Sequence, residues 1–166
     1  MVLPAIIGLR PAETQDEGFL RQVYAESRRE ELDQVAWPDG AREEFLRSQF
    51  DAQTAHYGQH YPGAEFLIIE HAGQPAGRLY IRRGSQEIRI MEIGLMPLFR
   101  NQGIGTALLQ TILQEGQSAN KLVSIHVEKF NPAIRLYERL GFQIEADRNV
   151  YWLLHRLPQN ASAAAS

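Results

Sequence analysis

Apolar positions along the chain follow a helical spacing in some stretches and strict alternation in others, with glycine-rich or polar breaks between them. Apolar residues three and four apart predict one face of a helix, whereas alternation predicts a half-buried strand. The spacing predicts a helix that begins after Asp16 and a second from Ala41 to about Tyr57. A third helix follows the glycine pair that starts at Gly103. Strands are predicted over 5–11, 66–70, 77–82, 88–96, 121–128, 142–145 and 150–154.

Asn131 and Pro132 predict the start of a fourth helix, because Asn is a favoured N-cap and Pro a favoured first helical residue. Gly141 stands where a left-handed glycine usually ends a helix. The unit over 88–127 reads strand, helix, strand, which makes a parallel pair. We therefore expect a mixed α+β fold, with a mostly antiparallel sheet, one parallel pair and about four flanking helices.

The length of 166 residues fits one domain, which we expect over 1–157. The small, polar segment 158–166 is expected to be a flexible tail. The apolar run from Val2 to Leu9 contains Pro4 and Gly8, lacks a basic leader and is too short to span a membrane. We therefore expect a cytoplasmic protein without a membrane partner.

The formal net charge of −3 disfavours a nucleic-acid partner, since such proteins usually present a basic surface. The chain contains no cysteine, which excludes disulfides, thiolate zinc sites and a cysteine nucleophile. His56 and His60 have the spacing of two metal ligands on a helix, but Gly58 lies between them and no third ligand is evident. We expect no metal.

The run from Met91 to Leu109 combines a buried strand, a stop at Pro97 and two glycines that open a helix. The start of a helix leaves backbone N–H groups unpaired, and glycines allow a ligand to approach them. This arrangement suits a phosphate or pyrophosphate. No lysine follows as in a Walker loop, and Leu108 stands where a dinucleotide-binding loop would have its third glycine. A nucleotide-binding domain is therefore the weaker interpretation.

Two separate motifs resemble one known family. Arg100-x-x-Gly103-x-Gly105 is similar to the Arg/Gln-x-x-Gly-x-Gly/Ala signature of the GNAT superfamily of acyl-CoA N-acyltransferases. The segment from Asn131 to Phe142 resembles the Asn…Ala-x-x-Leu-Tyr-x-x-x-Gly-Phe helix of the same family. Leu95-Met96-Pro97 is similar to its Val-x-Pro, and the predicted element order looks like the GNAT fold.

The resemblance implies acetyl-CoA as the donor, without a metal. It implies that Asn131 contacts the pantetheine arm, and that the backbone of Leu95 and Met96 pairs with the pantetheine amides. Arg135 would reach the CoA phosphates. For Asn131 the alternative is that helix capping is its whole role. The residues implied to surround the pyrophosphate, mainly with backbone N–H groups, are Arg100, Asn101, Gln102, Gly103, Ile104, Gly105 and Thr106.

The family fold also implies that two strands splay apart at the cofactor. Gly94 and Pro97 are the expected places for the bulge that opens them. A backbone N–H at Leu95 or Met96 would hold the oxyanion. Tyr137 is implied to be the general acid for the leaving thiolate, against the alternative that it is only a core aromatic residue.

Glu92 lies in an otherwise apolar strand, where a carboxylate is costly unless it is paired or faces a cavity. It is the candidate general base, with a salt bridge to a neighbour such as Arg89 as the alternative. His126 is the rival base, although a partly exposed strand histidine without a catalytic role is the preferred interpretation.

The expected acceptor is a primary amine on a small molecule or a peptide. The acidic run around Glu30, Glu31 and Asp33 falls in the segment that lines the acceptor side in this family and would attract a cationic amine. The alternative function is a non-catalytic acyl-CoA-binding or regulatory module on the same fold. The sequence leaves the oligomeric state open, with a homodimer as one option.

Overall fold

The computed structural model describes residues 3–159 and shows one seven-stranded sheet in the order β1-β2-β3-β4-β5-β7-β6. Neighbouring strands are antiparallel except β4 and β5, which are parallel. The expected mixed fold with a single parallel pair is therefore confirmed. The strands are β1 Ile7–Pro11, β2 Glu65–His71, β3 Gln74–Arg83, β4 Glu87–Leu95, β5 Leu122–Glu128, β6 Gln143–Arg148 and β7 Tyr151–Arg156.

Four helices cover the two faces of the sheet. On one face, Leu20 and Tyr24 pack with Phe50 against Ile68 and Tyr80 of the sheet. On the other face, a larger apolar core holds residues of the third and fourth helices against the central strands. The helices are α1 Glu17–Leu32, α2 Ala41–His60, α3 Ile104–Ala119 and α4 Ile134–Arg139.

The predicted helix boundaries need two corrections. Helix α2 does not stop before Gly58 but continues to His60, because a glycine costs only about 1 kcal/mol inside a helix. Helix α4 begins at Ile134 rather than at Pro132. The Asn131 side chain still accepts a hydrogen bond from the N–H of Ala133 at 2.9 Å, so it caps the turn that leads into α4.

The C-terminal segment is described only to Gln159, so most of the expected flexible tail lies outside the described residues. Gln159 itself exchanges two hydrogen bonds with the side chain of Gln117 on α3. None of the helices in residues 3–159 is long and apolar enough to cross a membrane.

Candidate active site

A gap opens in the sheet between β4 and β5. The two strands pair only from Glu87 to Ile90 on β4 and from Leu122 to Ile125 on β5. Beyond these pairs β4 continues to Leu95 and β5 to Glu128 without pairing to each other. The separation leaves backbone groups of both strands without a sheet partner, as a ligand that adds to a strand edge requires.

A bulge in β4 lies at Met91, where the opening begins. Tyr80 pairs with Glu92 and the next residue of β3 pairs with Ile90, so Met91 has no partner. The expectation that Gly94 or Pro97 carries the bulge is therefore wrong. The extra residue reverses the alternation of side chains. Ile90 lies in the core on the α3 side, whereas Glu92 reaches the α2 side, where it contacts Tyr57.

The backbone N–H and C=O groups of successive residues in β4 point alternately towards β3 and towards the gap. Met96 donates its N–H to the carbonyl of Ala76 at 2.8 Å, which ties it to β3. Because this alternation holds along an antiparallel pair, Leu95 and Ile93 direct their N–H and C=O groups away from β3 and towards the gap, where the carbonyl of Leu95 accepts a hydrogen bond from Nε of Arg100 at 3.0 Å. The N–H that was expected at Met96 is therefore unavailable there, and Ile93 is the residue that the sequence analysis missed.

The glycine loop brings unpaired N–H groups to the same gap. Gly103 takes the left-handed conformation (φ 81°) and its carbonyl accepts the N–H of Ala107, so the N–H groups of residues 103–106 precede the first helical bond of α3. A side chain at Gly103 or Gly105 would meet no protein atom within 4 Å. The loop is therefore an open cradle for a phosphate group.

Two spaces of similar size meet at the gap. The first, which we call the α3 groove, has a volume of about 930 Å³ and runs from Arg100, Asn101 and residues 103–106 towards α4. The second, the α2 cavity, has about 920 Å³ and lies over Gln53, Tyr57 and Glu92. The residues that line both spaces include Ile93, Glu128, Phe130, Asn131 and Tyr137.

Other residues that the sequence analysis selected lie away from the α3 groove. Gln102 does not line it and donates from its side chain to the carbonyl of Leu98 at 2.8 Å. Arg135 is exposed and lines neither space. Arg139, one turn further along α4, lines the α3 groove instead. Arg135 therefore stays a prediction for the CoA phosphates, and Arg139 is the arginine of α4 that the structure puts on the groove.

Tyr137 is buried at the junction of the two spaces, with 6% of its surface exposed. Burial, and then the negative charge of Glu92, raise the pKa of Tyr137 to about 12. Its ring packs edge-on against Phe142 at 5.8 Å. A phenol held in this way keeps its proton at neutral pH and can donate it to a base that forms at the junction.

Glu92 is held by three side chains on the α2 side of the gap. Tyr57 donates to its carboxylate at 2.8 Å and Gln53 at 3.2 Å. The guanidinium of Arg78, which is 2% exposed, lies 3.6 Å away. Arg89, the partner that the sequence suggested, binds Glu87 and Ser124 instead. The network fixes a carboxylate beside the gap while about a third of its side chain stays exposed.

Glu128 is a second carboxylate at the junction, and the sequence analysis did not select it. It follows the rival base His126 by two residues on β5, so the alternation of a strand puts both on one face. Burial and the nearby Glu31 raise the pKa of Glu128. Desolvation, Arg89 and Arg148 lower the pKa of His126, which favours its neutral form.

The acidic run around Glu30 and the histidine pair of α2 were the two weaker signals in the sequence. Glu30, Glu31 and Asp33 line the α3 groove, and of these only Glu31 also lines the α2 cavity. The rings of His56 and His60 stack on each other at 4.4 Å. Within residues 3–159 no group of three or more histidine, aspartate or glutamate side chains is placed to hold a metal ion.

The arrangement joins two chemical functions. The α3 groove offers backbone N–H groups to a long ligand with phosphate groups, and the splayed strand offers further groups along its length. At the junction a protonated phenol and a fixed carboxylate line the same cavity. Such a site can pass a group from one bound molecule to another with a proton taken on one side and supplied on the other.

Comparisons with known proteins show which sequences and folds this chain is similar to. N-alpha-acetyltransferase 50 of Danio rerio is 29% identical over 128 residues, which cover 72% of this chain and 70% of that protein. The crystal structure of PaiA N-acetyltransferase from Thermoplasma acidophilum, in complex with coenzyme A, matches with a TM-score of 0.69 at 16% identity, over 91% of this chain and 98% of that one. Arabidopsis thaliana Naa50 with the bisubstrate analogue CoA-Ac-MVNAL matches with a TM-score of 0.58 at 18% identity, over 92% and 99%.

The sequence model of the acetyltransferase (GNAT) family matches residues 20–142, which is well over half of the 166 residues. This match begins within α1, includes the glycine loop and ends after α4 at Phe142. The chain therefore belongs to the GNAT acetyltransferase family.

Proposed function

We propose that this protein moves an acetyl group from acetyl-CoA to a primary amine by direct attack. One observation carries the proposal: the phenol of Tyr137 and the open start of α3 share one groove, and this groove meets the cavity of Glu92 at the sheet gap. Membership of the acetyltransferase family supports the same reaction. The chain has no cysteine, so no cysteine-linked acyl intermediate can form.

The α3 groove fits acetyl-CoA as the donor. The N–H groups of residues 103–106 would hold the pyrophosphate, and the space beside Gly103 and Gly105 leaves room for it. The gap-facing backbone of Ile93 and Leu95 would pair with the pantetheine amides, with Asn131 on the opposite side. Bound acetyl-CoA supplies the thioester carbon at which the new C–N bond forms while the C–S bond breaks.

The side chains at the junction would accept and donate the protons of this reaction. Glu92 would take the proton that the amine loses, directly or through water. Tyr137 would give its proton to the sulfur of the departing thiolate, so charge and protons balance. The N–H of Ile93 or Leu95 would stabilise the oxygen on which negative charge develops. His126 stays the alternative base, since it also lines the α2 cavity.

The test measures binding and turnover separately. Purified protein is titrated with acetyl-CoA by calorimetry, and thiol release is then followed with a panel of small amines and peptides. The similarity to N-alpha-acetyltransferase 50 is the reason for including peptide N-termini. We expect acetyl-CoA binding and amine-dependent thiol release, with mass spectrometry detecting the acetylated amine. Binding without release by any amine would favour the acyl-CoA-binding module instead.

A further inference from the structure

Not every charged side chain that lines the α2 cavity is paired with a side chain of opposite charge. Arg28 pairs with Glu31 at 2.5 Å, and Arg78 pairs with Glu92 at 3.6 Å. Arg148 and Glu128 also line the cavity, and within residues 3–159 neither forms an ion pair with another side chain.

These two unpaired charges stand at a fixed separation. Arg148 of β6 pairs with Tyr151 of β7, and Tyr151 pairs with Glu128 of β5, so the three residues form one row across the sheet. Two strand spacings of about 4.8 Å separate the Cα atoms of Arg148 and Glu128 by about 10 Å. An exposed arginine stands at one end of the row and a half-buried carboxylate at the other, so the cavity has a positive end and a negative end.

The positive end contains more than Arg148. Arg89 lies with its Nη1 3.4 Å from Nδ1 of His126, and a bond to Ser124 and an ion pair with Glu87 at 3.1 Å hold its guanidinium in place. Glu87 offsets the charge of Arg89, so Arg89 adds hydrogen-bond donors while Arg148 supplies the unpaired charge. Arg89, His126 and Arg148 line the α2 cavity and not the α3 groove. The positive end is therefore on the side of the cavity away from the cofactor.

The negative end lies at the junction. Glu128 lines both spaces, and Glu92 lines the cavity beside it. An ammonium group would be drawn to these carboxylates, next to the phenol of Tyr137. The other end of the same molecule would then face Arg148 and Arg89, where an anionic oxygen group is favourable and a second cation is not.

We propose that the acceptor is a small primary amine that also carries a carboxylate or a phosphate, with its amine at Glu92 and Glu128 and its anion at Arg148 and Arg89. This inference rests on the proposed acetyl transfer. Arg148 is exposed, so water and salt screen its contact with the anion, and the loss of Arg148 should change kcat/KM about fivefold.

The experiment uses pairs of amines that differ only in the anionic group. Phenylalanine is compared with phenethylamine, and O-phosphoethanolamine with ethanolamine, by thiol release from acetyl-CoA. We expect kcat/KM to be about fivefold higher or more for the anionic member of at least one pair. The pair that shows the difference decides between a carboxylate and a phosphate. A peptide that reacts better than both anionic amines would overturn the small-molecule class.

Variants of Arg148 test its part directly. Arg148→Gln should lower kcat/KM for the preferred anionic amine about fivefold and leave its neutral counterpart unchanged. Arg148→Glu should lower it further and improve the reaction of a diamine. Arg47→Gln is the matched control, because Arg47 is also an exposed arginine but lines neither space. Acetyl-CoA affinity and the melting temperature should be the same in all of them.

The outcomes separate the two proposals. If no amine releases thiol although acetyl-CoA binds, the proposed acetyl transfer falls and the acceptor class falls with it. If neutral and anionic amines react equally well, or Arg148→Gln slows both alike, the acceptor class is wrong while acetyl transfer stands.

Discussion

The α3 groove and the α2 cavity meet at Tyr137, but they are built in opposite ways. The α3 groove relies on backbone N–H groups at the start of one helix and along one strand. The α2 cavity relies on side chains from α1, α2, α4 and five strands, several of which hydrogen-bond to one another. A groove made of backbone tolerates many side chains, whereas a cavity made of side chains can change its preferred ligand with a single residue. If the proposed roles hold, the donor site should therefore tolerate more sequence change than the acceptor site.

The largest effect is expected where the two regions meet. Tyr137→Phe removes the phenolic proton donor and leaves the buried ring, so kcat should fall by about 10²–10⁴-fold. Acetyl-CoA affinity should change little, because the backbone groups of the α3 groove stay in place. Steady-state kinetics and calorimetry measure these two quantities. A variant that keeps wild-type kcat would show that Tyr137 is a packing residue only.

The pH profile gives an independent test of the same residue. The pKa of Tyr137 is raised to about 12, so its protonated, donating form persists well above neutral pH. The wild-type kcat should therefore not decline between pH 7 and about pH 9 through loss of this proton. A basic limb in that range that disappears in Tyr137→Phe would contradict the raised pKa.

A somewhat smaller effect is expected from the carboxylate on the cavity side. Glu92→Gln removes the proposed base, and kcat/KM should fall by about 10²-fold. It also leaves the guanidinium of Arg78 without its counter-charge in a buried position, so the free energy of unfolding should drop by about 1–3 kcal/mol.

A matched variant separates the two effects of Glu92→Gln. Tyr57→Phe deletes one hydrogen bond to Glu92 but keeps the carboxylate and its pairing with Arg78. We expect it to lose less than tenfold in kcat/KM. Equal losses in the two variants would mean that the network acts by positioning the cavity, and His126 would then become the stronger candidate base.

The different construction of the two regions explains what the sequence could predict. The fold and the glycine loop depend on local patterns, such as the spacing of Gly103 and Gly105, which are visible in one stretch of chain. The direction in which the Glu92 side chain points depends instead on the bulge at Met91. Without the bulge, strict alternation would put Glu92 on the same face of the sheet as Ile88 and Ile90. The methionine at position 91 gives no sequence signal for a bulge, so the direction of the Glu92 side chain could not be predicted.

The rest of the cavity arises from contacts between residues far apart in the chain. Tyr57 reaches Glu92 across 35 positions, and Gln53 binds Arg78 across 25. Arg148 comes to the cavity only because β6 is the edge strand next to β7. The direction of the Met96 N–H could not be predicted for a similar reason, since the pairing with β3 decides which N–H groups face the gap.

A change in the backbone cradle should have an intermediate effect. Gly105→Ala adds a methyl group into the open space of the α3 groove, and KM for acetyl-CoA should rise about tenfold through lost bonds to the N–H groups. Alanine is the better helix former by about 1 kcal/mol, so the melting temperature should increase. A weaker affinity in a more stable protein would identify a ligand cradle. An unchanged KM would show that the glycines serve the turn alone.

The smallest expected effect concerns the cation at the far edge of the α3 groove. The sequence assigned this role to Arg135, whereas the structure puts Arg139 on the groove and Arg135 outside it. Arg139 is exposed, so its contribution to binding a CoA phosphate should stay near 1 kcal/mol and be screened by salt. Arg139→Gln should raise KM for acetyl-CoA about threefold to fivefold at low ionic strength, and Arg135→Gln should not. The two variants remove the same charge from the same helix, so only their different position can separate them. The reverse result would restore the sequence-based assignment, and equal effects would indicate that only the overall charge of α4 matters.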